Sequence, residues 1–169
     1  MSRDFVSELV SQYASRGALI DTNLLLMYFI GLYDVQAMLN FKRTSAYTEQ
    51  DVPLMKKLMS FFKKIVTTPN VLTEVSNLAG QLGDPLRTQF FSSLKGNVEM
   101  LEEEYCPSAN ASAHPYFATC GLTDSAVMEI ARKRYLVITD DFRLAGLMSK
   151  QGMDVLNFNR VRTAFLLKR

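Results

Sequence analysis

The sequence predicts an α/β fold with a parallel central sheet, and three observations carry that prediction. The first is Ala18-Leu19-Ile20, a short apolar run that ends in Asp21 and passes through Thr22-Asn23 into the apolar segment Leu24 to Leu32. A run so short and apolar suits a strand buried on both faces, and the polar break before a longer apolar segment suits a strand-to-helix turn. The second is the same pattern at Tyr135-Leu136-Val137-Ile138-Thr139, which runs into Asp140-Asp141 and then another helical pattern. The third is the β-branched run Ile65-Val66-Thr67, followed by Thr68-Pro69, a capping hydroxyl with proline at the first helical position. In open parallel sheets functional groups collect just beyond the carboxyl ends of the strands. Asp21 and Asp140-Asp141 stand where such a fold puts a site.

The 169 residues fit a single domain, 1–169, with a sizeable core. Hydrophobic content of 48% and charged content of 21% are ordinary for a globular protein. A formal charge of +2 does not announce nucleic acid, so a nucleic-acid partner would be held by a local basic patch and not by the net field. Cys106 and Cys120 follow no metal or redox spacing, and Met1-Ser2-Arg3-Asp4 does not open an export signal. The longest apolar stretch is too short to span a bilayer. These features predict free thiols, no membrane and a cytoplasmic location.

Helical spacing of Phe5, Val6, Leu9, Val10 and Tyr13 predicts a helix ahead of the first strand, over about 3–15, closed by Gly17. The stretch 34–48 is less distinct, with a polar loop at Lys42-Arg43-Thr44-Ser45. A helix follows over 49–64 with Leu54, Leu58, Phe61 and Phe62 on one side and lysines on the other. The helix after Thr68-Pro69 is expected to run through Leu82 to Gly83, with Glu74 at the edge of its apolar stripe, where a carboxylate needs a partner. Asp84-Pro85 opens a further helix to about Gly96, and Glu102-Glu103-Glu104 reads as a solvated acidic run. The stretch 106–115, between two prolines, reads as a loop with its single histidine, His114, exposed. Gly121-Leu122-Thr123-Asp124 starts a strong helix with Thr123 as the cap and Asp124 in the first turn, where the helix dipole favours an acid. A helix over 142–152, a last strand over 154–158 and a basic tail over 160–169 complete the chain.

Asp21, Glu74, Asp124 and the pair Asp140-Asp141 each have a simple structural explanation as caps, turns or surface acids. Together they fall at strand ends and helix starts on the expected active edge. Grouped carboxylates raise one another's pKa, and a divalent metal removes that difficulty. An all-carboxylate set selects a hard ion such as Mg²⁺ or Mn²⁺ over Zn²⁺.

Four segments in order, Leu-Ile-Asp-Thr-Asn at 19–23, Pro-Asn-Val-Leu-Thr-Glu-Val at 69–75, Gly-Leu-Thr-Asp-Ser-Ala at 121–126 and Val-Ile-Thr-Asp-Asp-Phe-Arg-Leu at 137–144, resemble the four motifs of PIN domains. These are metal-dependent ribonucleases that include the VapC-type toxins. The resemblance implies a three-layer α/β/α fold with a mostly parallel sheet and a Mg²⁺ or Mn²⁺ site at its carboxyl ends. Carried over, the acids are Asp21, Glu74 and Asp124. The fourth is Asp141, by the register of Thr139 and Leu144, with Asp140 able to reach the same cluster. Asn23 matches a small polar position that supports the carboxylates, and Thr139 a supporting hydroxyl. The resemblance further implies an RNA substrate, a protein antitoxin where a member is a toxin, and a chain compatible with a homodimer. The chain departs from a minimal toxin in its first helix and in the length of 80–121.

An acid pocket repels phosphate unless cations frame it, which nominates Lys42, Arg43, Arg143, Arg160 and Arg162, with Arg132-Lys133-Arg134 farther away. Other readings fit less well. A dehalogenase-type phosphatase needs a second Asp where Asn23 stands, and no glycine-rich phosphate loop is present. The competing reading from another class is a non-catalytic PIN-like module that binds RNA or a protein, which would have no need to hold mutually repelling acids.

Overall fold

The computed structural model describes residues 3–132 and 134–166, with side chains at 5–132 and 134–164. The apolar runs become five short strands: β1 (Ala18–Ile20), β2 (Ile65–Thr67), β3 (Glu102–Glu103), β4 (Leu136–Thr139) and β5 (Val155–Asn157). They pair in the order β3-β2-β1-β4-β5, and every pairing is parallel. Leu19 faces Val66 on one side and Val137 on the other, which places the ends of β1, β2 and β4 on one edge. Every residue of these three strands is buried, so helices cover both faces of the sheet. The fold is a three-layer α/β/α domain with a parallel central sheet, as the sequence predicts.

The helix leaving β1, α2 (Thr22–Gly31), is apolar nearly all round and correspondingly buried. Around it pack α3 (Val35–Asn40), α4 (Asp51–Met59), α5 (Pro69–Ala79) and α6 (Leu86–Glu99). The predicted first helix is α1 (Arg3–Tyr13). It packs by β4, and Tyr13 donates a 2.8 Å hydrogen bond to Asp154 Oδ2. The second half of the chain adds α7 (Ser108–Ser112), α8 (Phe117–Ala131), α9 (Phe142–Lys150) and α10 (Phe158–Leu166). Among the described residues no helix is long and apolar enough to cross a membrane.

Several local expectations are corrected. Glu102-Glu103 is exposed, as expected of a solvated acidic run, but it is also the edge strand, because Val66 and Thr67 offer a free ladder there and Lys64 pairs with Glu102 at 2.6 Å. Glu104 pairs with Arg134 at 2.9 Å. The stretch 106–115 contains α7, which packs on α8 and folds His114 inward. That histidine is only 6% exposed, and its Nδ1 accepts from the Tyr116 N–H at 3.3 Å. The helix α5 stops at Ala79 instead of Gly83, and α8 extends ahead of Gly121, which breaks it at φ 77° and ψ −172°. Thr68 does cap α5, accepting from the Val71 N–H at 3.2 Å.

Gly17 turns the chain into β1 at φ +112°, and its carbonyl accepts from Leu136 N–H at 3.2 Å. A Cβ there would lie 2.7 Å from Lys64 Cγ and 2.9 Å from the Lys64 carbonyl oxygen. Gly17→Ala is expected to cost about 2 kcal/mol, from left-handed backbone strain plus that contact. Urea denaturation measures it, and an unchanged midpoint would mean that the start of the central strand relaxes freely.

Candidate functional site

Four of the singled-out acids come from four elements around the carboxyl edge of the parallel sheet. Asp21 follows β1 directly and caps α2. Its Oδ1 accepts from the Thr22 N–H at 2.6 Å, and its Oδ2 accepts from the Thr139 hydroxyl at the end of β4. Asp141 caps α9, accepting with Oδ1 from the Arg143 N–H at 2.6 Å and the Leu144 N–H at 3.1 Å. Glu74 projects from α5 and accepts from the Thr22 hydroxyl at 3.1 Å. Asp124 lies three residues past the break at Gly121. A cap uses one carboxylate oxygen for the helix; the second oxygen of Asp21 is taken by Thr139, and that of Asp141 lies 3.9 Å from Arg143.

The acids feel one another. Burial pushes Asp21 up to about 7; the Thr139 hydrogen bond opposes this, and the charges of Asp124 and Asp140 add to it. Asp124 is pushed up to about 6, first by burial and then by the charges of Asp141 and Glu74, against the pull of Arg143. The Arg143 guanidinium lies 3.8 Å from Asp124 Oδ2 and 3.9 Å from Asp141 Oδ2, and donates to the Thr119 carbonyl at 2.6 Å.

Asp140 is turned differently. Its Oδ2 accepts from the Tyr47 hydroxyl, while its Oδ1 is buried with no hydrogen-bond partner. Tyr47 is itself buried, and its hydroxyl pKa is driven up by that burial and by Asp140. Among the described residues, no three His, Cys, Asp or Glu side chains form a ready-made metal cage. The donor chemistry is nonetheless all oxygen, with one orphaned buried carboxylate oxygen beside Asp21. That suits a hard cation that keeps most of its waters and needs one or two carboxylates.

The remaining nominated residues fall in several places. Asn23 is exposed, and it is Thr22, one position earlier, that holds Glu74. Lys42 and Arg43 are exposed, with Arg43 Nε 3.4 Å from Gln81 Oε1. Arg160 lies on α10. Arg162, also on α10, is turned inward: its Nε lies 3.0 Å from Asp51 Oδ1. Asp51 is 2% exposed and also accepts from the Thr48 N–H at 2.7 Å. Arg162 is thus the counter-ion of a buried acid. Lys133 and the tail residues Lys168 and Arg169 lie outside the described residues. Sequence reasoning missed Tyr47, Thr22 and Asp51 as parts of this region. Thr22 had a visible signal, being the hydroxyl next to the first acid. Tyr47 had none, because its partner lies 93 positions away.

Comparison with protein-family models gave no match for the chain, and comparison with curated proteins gave none either.

Two outcomes follow from this geometry. Removing the Arg162 side chain leaves Asp51 buried against backbone and Thr48 alone, so Arg162→Ala should lose about 2 kcal/mol by chemical denaturation. The loss should be smaller in the Asp51→Asn background. For Asp21 the folded-state pKa, about 7, lies above the ordinary 3.8. Its ionisation therefore opposes folding, a cost absent below pH 3.8 that grows until pH passes about 7. In EDTA, the melting-temperature advantage of Asp21→Asn over wild type should grow across that window and then level. A constant difference would sink the assignment.

Proposed function

We propose that this protein is a Mg²⁺- or Mn²⁺-dependent ribonuclease of the PIN type, cleaving RNA phosphodiester bonds at the carboxyl edge of its sheet. The observation that carries the reading is geometric: Asp21 after β1 accepts from Thr139 at the end of β4, Glu74 accepts from the adjacent Thr22, and the Arg143 guanidinium lies 3.8 Å from Asp124 and 3.9 Å from Asp141. A fold spends stability on such a group of acids only where cations or protons relieve it. The four ordered motifs of the sequence support the same family. A toxin role with an antitoxin partner belongs to this proposal as its narrower form.

Asp21, Asp124 and Asp141, with Asp140 alongside, are the oxygens that would hold the ion. Bound there, it would activate a water and offset charge on the leaving oxygen. The chain's own residues do the rest. Thr139 and the Thr22 N–H fix both oxygens of Asp21, so the carboxylate is oriented before any ligand arrives. Glu74 is exposed and steered by Thr22, which suits it to accept a proton from a water beside the phosphodiester. Arg143 offsets Asp124 and Asp141 and has the exposure to meet a phosphate as well.

Arg143 also favours the second reading, a non-catalytic module that binds RNA or a protein, because it partly neutralises Asp124 and Asp141 without a metal.

Mn²⁺ should raise the melting temperature of the wild type, since a ligand of the folded state stabilises it by mass action, and should raise that of Asp21→Asn less. Mn²⁺-dependent cleavage of single-stranded RNA should fall by about 100-fold or more in Asp21→Asn and Asp124→Asn. RNA bound by wild type but never cleaved, with equal metal shifts in the variant, would select the non-catalytic module. In Ca²⁺, Arg143→Ala should reduce the logarithmic salt slope of RNA binding by roughly one unit. An unchanged slope would remove Arg143 from the substrate path.

A further inference from the structure

Beside Glu74 opens a shallow cleft of about 400 Å³ that the acid cluster does not account for. One wall is α5, where Asn70, Thr73, Glu74 and Asn77 follow one another at helical spacing on a single face. The opposite side carries Tyr105, the second residue after β3. The chain there is tied to the sheet, because the Glu104 N–H donates to the Thr67 carbonyl at 2.9 Å. Tyr105 as a whole is 73% exposed. Thr123, two residues past the break at Gly121 and the chain neighbour of Asp124, also lines the cleft.

The lining defines what the cleft can take. No lysine or arginine lines it, and its one charge is the carboxylate of Glu74, so a phosphate is disfavoured there and a neutral group is accepted. The side chains of Asn70, Thr73 and Asn77 make no hydrogen bond among the described residues, which leaves two carboxamides and a hydroxyl with both donors and acceptors on offer. A flat, neutral ligand with donors and acceptors on its rim, able to lie against an exposed tyrosine ring, is a nucleobase.

We infer that this cleft is a nucleobase subsite, in which Tyr105 stacks one unpaired base of a single-stranded RNA and Asn70 and Asn77 hydrogen-bond its edge. The choice of RNA rests on the ribonuclease reading. The base so held seats the adjoining phosphodiester next to Glu74, which lines the cleft, and near Asp124, the chain neighbour of the lining residue Thr123. Because a duplex keeps its bases stacked inside, the subsite selects single strands over double-stranded RNA. Because the cleft holds no cation, its share of the affinity is insensitive to salt, unlike that of Arg143.

The test compares wild type, Tyr105→Phe, Tyr105→Ala and Asn77→Ala for binding of a labelled single-stranded RNA hexamer in Ca²⁺. A duplex of equal length and a hexamer carrying abasic positions serve as controls. Tyr105→Ala should weaken hexamer binding about tenfold at every salt concentration, and Tyr105→Phe should retain it. Asn77→Ala should weaken it by a smaller factor, and abasic RNA and duplex should not distinguish the variants. Titration with adenosine should shift the carboxamide NMR signals of Asn70 and Asn77 in wild type and not in Tyr105→Ala. Equal hexamer affinity of wild type and Tyr105→Ala overturns the subsite and assigns the cleft to some other ligand, such as a protein segment, while leaving metal-dependent cleavage intact. A wild type that binds no RNA overturns the subsite and the ribonuclease reading together.

Discussion

Parallel pairing of β1 with β2 and β4 is the constraint on which the rest of this molecule depends. Ala18 stands opposite Ile65 and Leu136, and Ile20 opposite Ile138, so these strands end at nearly the same height. Whatever follows each strand must then emerge on one edge. Asp21 follows β1, Thr68 and α5 follow β2, and Asp140-Asp141 follow β4. A shift of the β4 register by one residue would turn Thr139 away from Asp21 and bury a different set of side chains. The site is therefore a property of strand register before it is a property of any single acid.

Register alone would bring like charges together at a cost, and the fold manages that cost with neutral donors and one cation. Thr139 and Thr22 donate hydroxyl hydrogen bonds to Asp21 and Glu74. Backbone N–H groups at the starts of α2 and α9 meet Asp21 and Asp141, where the helix dipole also favours negative charge. Arg143 spans Asp124 and Asp141. Asp140 Oδ1 keeps no hydrogen-bond partner, as do Thr67 Oγ1, Asn97 Nδ2, Ser125 Oγ and Asn157 Nδ2 among the described residues. Of these atoms the carboxylate oxygen carries the charge, so it is the one that gains most from a cation. The cleft beside Tyr105 adds a surface of carboxamides and hydroxyls whose one charge is Glu74, and the proposed nucleobase subsite rests on it.

Sequence by itself determined the central strands and the positions of the acids. The apolar runs at 18–20, 65–67 and 136–139 suit buried strands, and a carboxylate right after such a strand falls at the sheet edge. The cap at Thr68 was legible for the same local reason, since its partner is three residues away. Tertiary structure alone decided the rest. The acidic pair at 102–103 became an edge strand because β2 had an unpaired side, and His114 became buried because α7 folds back onto α8. Arg162 became the counter-ion of Asp51, 111 positions away, and Tyr47 the partner of Asp140. Local patterns report a residue's own conformational preference and burial. Which side chain meets which across the fold depends on packing between elements far apart in the chain, and no periodicity within one segment encodes it.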